Sequence, residues 1–252
     1  RNMNWDQIVR KVKPYIVKIE TPTESGTGFL CLYNDDKSWC GIATASHVVN
    51  YAEEWQQPIK IIHQSKEPLF LKEADRAIIL DQKTDSAMIL FRKPIKPLLP
   101  DDLIHLRPLD QALDIGSEVG WLGYPYLEAD KLCFFSGCIS ARNEDKKFYF
   151  IDGVSINGVS GGPVLYSTET EGIEIIGIIC AYIANKATGA ALPGLSIAQD
   201  VSHFHSVVKT IKSIDDAKIK KQELKEQEKK EENEEKNLPP DSVKPSNSLK
   251  TD

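Results

Sequence analysis

Long apolar runs, basic patches and paired-cysteine motifs are all missing from this chain, and each absence narrows what it does. No segment approaches the roughly 20 consecutive apolar residues of a membrane-crossing helix, so no membrane insertion is expected. Lysine and arginine number 31 against 37 acidic residues, for a net charge of -6. No run interleaves arginines with aromatics, so nucleic acid is not an expected partner. None of the five cysteines stands in a Cys-x-x-Cys pair, which speaks against a structural metal site. Five thiols cannot all pair within one chain, and reduced cysteines are the simplest reading. Cys31 and Cys40 flank a polar turn at Asn34 to Lys37, which leaves one disulfide open in an oxidising compartment. The start, Arg1-Asn2-Met3-Asn4-Trp5, has neither an initiating methionine nor the basic-then-apolar character of a secretory leader. A cytoplasmic location and a processed or incomplete N-terminus are the corresponding expectations.

What is present is enough apolar content, 41% of 252 residues, to bury one sizeable core. Trp5, Ile8, Val9 and Val12 recur at helical spacing until Pro14, predicting a short leading helix. From Tyr15 the period changes to that of strands. Short runs at 15–20, 27–33, 39–44, 59–63, 69–72, 77–80 and 87–91 are followed by others at 119–123, 131–142, 148–152, 163–166 and 173–182. The connections are too short to carry the crossover helices of a parallel α/β fold. Many short, regularly spaced strands predict an all-β barrel or sandwich. Near the end, Val201, Phe204, Val207, Val208, Ile211 and Ile214 mark an amphipathic helix with Asp200 placed to cap it. Beyond residue 215 the apolar stripe fades into mixed charge that sustains a solvated helix by i,i+4 pairing. From Asn237 the Pro, Ser and Asn content predicts disorder.

One stretch is costly to order and has to be explained: Asn157-Gly158-Val159-Ser160-Gly161-Gly162-Pro163-Val164. Glycine loses the most backbone freedom on folding, so glycines crowded about one hydroxyl point to a demanded backbone geometry. A serine nucleophile needs such a turn, with N–H groups aimed where an oxyanion develops, and it needs a base held by a carboxylate. A plain glycine-rich turn between strands is the alternative. Among five histidines, His47 stands apart, at the end of an apolar strand in Ala43-Thr44-Ala45-Ser46-His47-Val48-Val49. Among the acids, Asp85 opens Asp85-Ser86-Ala87-Met88-Ile89-Leu90, where a partly buried carboxylate needs a partner such as an imidazole N–H. Taken singly, each reads more readily as a structural residue.

Together, in the order His47, Asp85, Ser160, they resemble the trypsin-like serine peptidases of chymotrypsin fold, and most closely their bacterial HtrA-like branch. Thr44-Ala45-Ser46-His47 is similar to that family's T-A-x-H, Asp85-Ser86-Ala87 to its D-x-A, and Gly158-Val159-Ser160-Gly161-Gly162-Pro163 to G-x-S-G-G-P. Ser25-Gly26-Thr27-Gly28-Phe29, Gly123-Tyr124-Pro125, Phe135 to Ser140 and Gly194 to Ala198 extend the likeness. The resemblance implies two six-stranded antiparallel β-barrels in a domain of residues 1–213, divided near 100–115, followed by a charged tail, 214–252. It implies a serine endopeptidase acting on polypeptides through an acyl-enzyme, with no cofactor and no metal. Ser160 would be the nucleophile, His47 the base, Asp85 the group fixing its tautomer, and the N–H groups of Gly158 and Ser160 the oxyanion hole. Val154, six residues before the serine, would floor the primary pocket, with Ile178 to Ala181 (Ile179 among them), Ile197 and Ala198 as walls, favouring aliphatic side chains over basic ones. The tail would tether a further domain or partner. The chain departs from the HtrA pattern at Val159, where asparagine is usual, and shows no PDZ-like segment. Two rivals remain: a non-catalytic module of the same fold that binds peptides along its cleft, and an α/β-hydrolase esterase whose acid and base follow the serine, Asp200 with His203 or His205.

Overall fold

The structure, a computed structural model, describes residues 4–64, 67–94, 98–128, 130–168, 172–184 and 191–236. The chain forms two compact units, Arg1–Ile211 and Lys212–Asp252. The first is almost entirely β. Its first sheet is built from β1 (Ile16–Glu20), β2 (Ser25–Tyr33), β3 (Trp39–Ala45), β4 (Ile59–Ile62), β5 (Leu69–Leu71), β6 (Arg76–Asp81) and β7 (Ser86–Arg92), in the order β5-β4-β1-β2-β3-β7-β6. The second is built from β8 (His105–Leu106), β9 (Glu118–Gly123), β10 (Cys133–Asn143), β11 (Phe148–Asp152), β12 (Pro163–Thr168), β13 (Gly172–Ala184) and β14 (Ala191–Asp200).

The second sheet closes. Its order β12-β9-β10-β11-β14-β13 returns on itself through pairing of β12 with β13, giving a six-stranded barrel, and the two-residue β8 adds to β13 in parallel. The first sheet curls without closing, because its edge strands β5 and β6 pair only with β4 and β7. The architecture is therefore the expected all-β one, with one closed barrel and one seven-stranded half-barrel in place of two six-stranded barrels.

Among the described residues three α-helices accompany the sheets: α1 (Trp5–Val12), α2 (Ser46–Glu54) and α3 (Ser202–Lys236). In α1 the apolar stripe buries Ile8 and Val12, while Trp5 packs on Phe134 of β10 with ring centroids 5.2 Å apart and donates its indole N–H to Glu118 of β9 at 2.6 Å. The N-terminal helix thus straps the second barrel before the chain enters the first sheet. A continuous apolar core joins the two sheets, with Phe29, Ile42 and Met88 from the first and Leu122, Leu165 and Ile178 from the second. A separate cluster fills the closed barrel around Trp121. The start of α3 is capped as its sequence predicts, Asp200 Oδ1 accepting the Ser202 N–H at 3.0 Å. Its Phe204 is fully buried and meets Phe29 edge-on, centroids 6.0 Å apart. From Asp216 to Glu231 the helix is exposed on all sides, and the disorder expected from Asn237 lies outside the described residues.

The alternative of a Cys31–Cys40 disulfide is not met. Cys40 pairs with Tyr33 across the β2–β3 ladder, whereas Cys31 sits at the bulge between Leu30 and Leu32, and both thiols are free and buried. The bulge turns the side chain of Cys31 out of cross-strand register with Cys40.

Candidate active site

His47 lies in the first turn of α2, which β3 feeds directly. The N-cap position, Ala45, has no side chain to satisfy the helix's leading amides, and Asp85 supplies what is missing from the neighbouring strand. Its carbonyl accepts the Ser46 N–H at 3.0 Å and its Oδ1 the His47 N–H at 2.9 Å. Its other carboxylate oxygen, Oδ2, lies 2.7 Å from His47 Nδ1. The β3–β7 register, Ala45 opposite Ser86, is what sets the two residues side by side. Asp85 adopts a left-handed backbone, φ 48°, which aspartate tolerates better than most residues. Held at its backbone and ring together, the imidazole carries its proton on Nδ1 and leaves Nε2 as the basic nitrogen. The Asp85 hydrogen bond raises the His47 pKa above the ordinary 6.5, outweighing partial burial, and the charges of Asp85 and Glu24 add to it.

The turn bearing Ser160 is fixed peptide by peptide. In a trans peptide the C=O and N–H point in opposite directions, so a bond at one end orients the other. Asn157 C=O accepts the Tyr126 N–H at 2.9 Å, and the same peptide's N–H, that of Gly158, donates to none of the described residues. Val159 C=O accepts the Gly162 N–H at 2.9 Å, and the N–H of Ser160 in that peptide likewise donates to none of them. The intervening amides are used: Val159 N–H reaches Ile156 O at 3.1 Å and Gly161 N–H reaches Ile179 O at 2.7 Å. Gly158 has φ 93°, and a Cβ there would stand 2.3 Å from Tyr124 O; at Gly161, φ 83°, it would stand 2.2 Å from Thr27 O. Both glycines are demanded by conformation and by space. Val159, where the resemblance leads one to expect asparagine, is fully buried in the barrel core and packs on Gly123.

The two halves meet at β2. Ser160 C=O accepts the Thr27 N–H at 2.8 Å. A Cβ on Gly26 would lie 2.5 Å from Val48, the residue after His47, and 3.0 Å from Ser160 O. The Cβ position of Gly161 lies 2.3 Å from Thr44 Oγ1 and 2.8 Å from Ala45 N. His47, Asp85 and Ser160 therefore share one seam between the sheets. Among the described residues no hydrogen bond joins the Ser160 hydroxyl to His47.

The expected pocket residues are distributed differently. Val154 is 51% exposed, before the serine turn, and Ile197 is half-buried on β14. Ile179 and Ala198 are fully buried, their side chains part of the barrel core; the Ala181 side chain lies outside the described ones. The esterase alternative fails on position. Asp200 is 3.6 Å from Arg142, His203 is 4.0 Å from Asp81, and His205 Nε2 hydrogen-bonds to Arg107 O at 2.8 Å, so no acid and histidine from α3 converge on Ser160. A shallow recess between Leu109, Arg142, Tyr149 and Val201 shares no lining residue with the seam. Thr27 and Tyr126, both bonded to the serine turn, escaped the sequence reading. The only signal for Thr27 was its place in Ser25-Gly26-Thr27-Gly28-Phe29.

No family model matches the chain, and no curated protein is similar to it in sequence. Among solved structures, a serine endoprotease from Yersinia pestis superposes with a TM-score of 0.60 at 23% identity, over 83% of this chain and 66% of that one. The chain thus spans just under two thirds of that protein's length. The likeness shows that the β unit has the fold of that protein, two packed β-sheets of barrel type.

Proposed function

We propose that the chain is a serine endopeptidase in which Ser160, His47 and Asp85 carry an acyl-transfer reaction. The observation that supports it most is a pairing of two features at one seam: an imidazole clamped on Nδ1 by Asp85, and two amides, of Gly158 and Ser160, that the turn leaves without partners among the described residues. Ser160 Oγ attacks the scissile carbonyl as His47 Nε2 takes its proton, and the carbonyl oxygen becomes an oxyanion between the two amides. His47 returns the proton to the departing amine as the C–N bond breaks, leaving an ester on Ser160. Water, deprotonated by the same nitrogen, attacks that ester, and the carboxylic acid leaves as the serine is regenerated. Each lost oxyanion donor costs about 100- to 1000-fold in rate. The open Ser160–His47 link is the one observation that favours a rival, a peptide-binding module of the same fold. Such hydrogen bonds tighten in the substrate complex, so chemistry and not apo geometry separates the two.

A fluorophosphonate probe makes that separation. Covalent labelling of the folded protein, lost in Ser160→Ala and strongly reduced in His47→Ala, supports the hydrolase; a folded wild type that stays unlabelled overturns it. For specificity, the partly exposed apolar side chains of Val154 and Ile197 suit small or medium aliphatic residues at the cleavage site. Peptide-library cleavage dominated by Arg or Lys at that position would refute the assignment.

A further inference from the structure

Thr27 concentrates bonds to the site on a single residue. It is fully buried on β2, and each of its polar groups is engaged by a different part of the seam. Its N–H donates to Ser160 O at 2.8 Å, and its C=O accepts the Thr44 hydroxyl at 2.7 Å, three residues before His47. Its own hydroxyl donates to Gly158 O at 2.8 Å and accepts the Tyr124 N–H at 2.9 Å. The Gly158 carbonyl belongs to the peptide between the two amides assigned above to the oxyanion. That peptide has only two handles, its N–H held by Ile156 O and its C=O held by Thr27 Oγ1. Releasing the second lets the peptide rotate, and rotation re-aims the amides on either side, because successive peptide planes share the Cα atoms.

We propose that the Thr27 hydroxyl is a positioning group: from the first sheet it locks the Gly158–Ser160 turn of the second in the orientation that aims both amides at a developing oxyanion. The inference rests on the hydrolase reading. It also gives a role to buried Val159, since the turn is held by a neutral hydroxyl from another sheet while its own side chain packs into the barrel. A shift of about 1 Å in such a donor costs on the order of 100-fold in rate.

The test separates the hydroxyl from the backbone. Thr27→Val keeps the N–H and C=O bonds and the branched shape but removes the hydroxyl; Thr27→Ser keeps it. The second-order rate of fluorophosphonate labelling is expected to fall about 10- to 100-fold in Thr27→Val and to stay within a few-fold of wild type in Thr27→Ser. The pH midpoint of labelling is expected not to move, because His47 is held by Asp85 and not by Thr27; a merely loosened fold would disturb both. Amide exchange followed by mass spectrometry over residues 156–162 should accelerate in Thr27→Val. Thr27→Ala carries the same comparison if the valine variant does not fold. Wild-type labelling rate and exchange in the folded hydroxyl-less variant would overturn the proposal. If the wild type itself is not labelled, the hydrolase reading falls and the oxyanion role falls with it; faster exchange over 156–162 in Thr27→Val then shows only that the hydroxyl holds the turn.

Discussion

Asp85 shows how one residue can serve folding and the proposed chemistry together. Its two carboxylate oxygens are divided between the α2 amide and the His47 ring, and the positive end of a helix favours the carboxylate that caps it. Asp85→Asn preserves an oxygen for the amide but sets an NH2 against Nδ1–H. The ring must then flip its proton to Nε2, where a base is needed. We expect the variant to fold, with labelling and hydrolysis reduced by about 10³- to 10⁴-fold. The pH dependence carries a second signature. A base acts when neutral, so wild-type activity should rise through a midpoint above 6.5, the direction in which the Asp85 bond shifts His47, and Asp85→Asn should move that midpoint down. A pH–rate profile of the residual activity checks the sign; an unmoved midpoint would count against the pairing.

At the level of elements, packing at the seam is shared between the sheets and the first turns of α3. Phe204 is fully buried edge-on against Phe29, which lies two residues beyond Thr27 on β2. Phe204→Ala removes a ring from a close-packed site and is expected to cost about 3–5 kcal/mol, measured by urea unfolding. Because the change lies in the support of β2 and not in the serine turn itself, labelling per folded molecule should change far less than stability does. The glycines of the turn follow a different logic. Gly158 and Gly161 contribute no packing; Gly158 admits the backbone of Tyr124 within its own half, and Gly161 admits that of Thr27 from the first sheet, so that the two sheets approach closely at one site.

For the whole molecule, the free thiols report how tightly the sheets close. Cys31, Cys40 and Cys180 are buried, whereas Cys133 is half-buried and Cys138 exposed. Burial raises the Cys40 thiol to about 12 and lifts Cys31 and Cys180 as well, so thiolate, the reactive form, is scarce there. In native protein a small alkylating reagent should modify Cys138 and Cys133 within minutes and the three buried cysteines only at the rate of unfolding. In denaturant all five should react, as counted by mass spectrometry. Rapid native modification of Cys40 or Cys180 would contradict the closed packing of the first sheet against the second.

The amino-acid sequence by itself determined the elements and singled out the residues proposed to react. Strand and helix periods located α1, most strands and α3 to within a few residues, because alternating burial leaves a direct imprint on residue order. His47, Asp85 and Ser160 stood out as candidates because the local signal for each is contiguous: small residues before a helix, an acid at a strand start, glycines about a serine. Whatever depends on contacts between distant segments was decided only by tertiary structure. The closure of one sheet and not the other turns on pairing of strand edges, which period cannot encode. The two-residue β8 was too short to show any period. The burial of the Ile179 and Ala198 side chains in the barrel core was also decided by tertiary structure, since a strand's pattern says that a side chain is apolar but not which apolar space it enters. Thr27 carried no signal as a threonine in a strand, and its standing comes from four hydrogen bonds to Gly158, Ser160, Tyr124 and Thr44. Those partners lie up to 133 residues away along the chain, as Ser160 does, and only the folded chain brings them together.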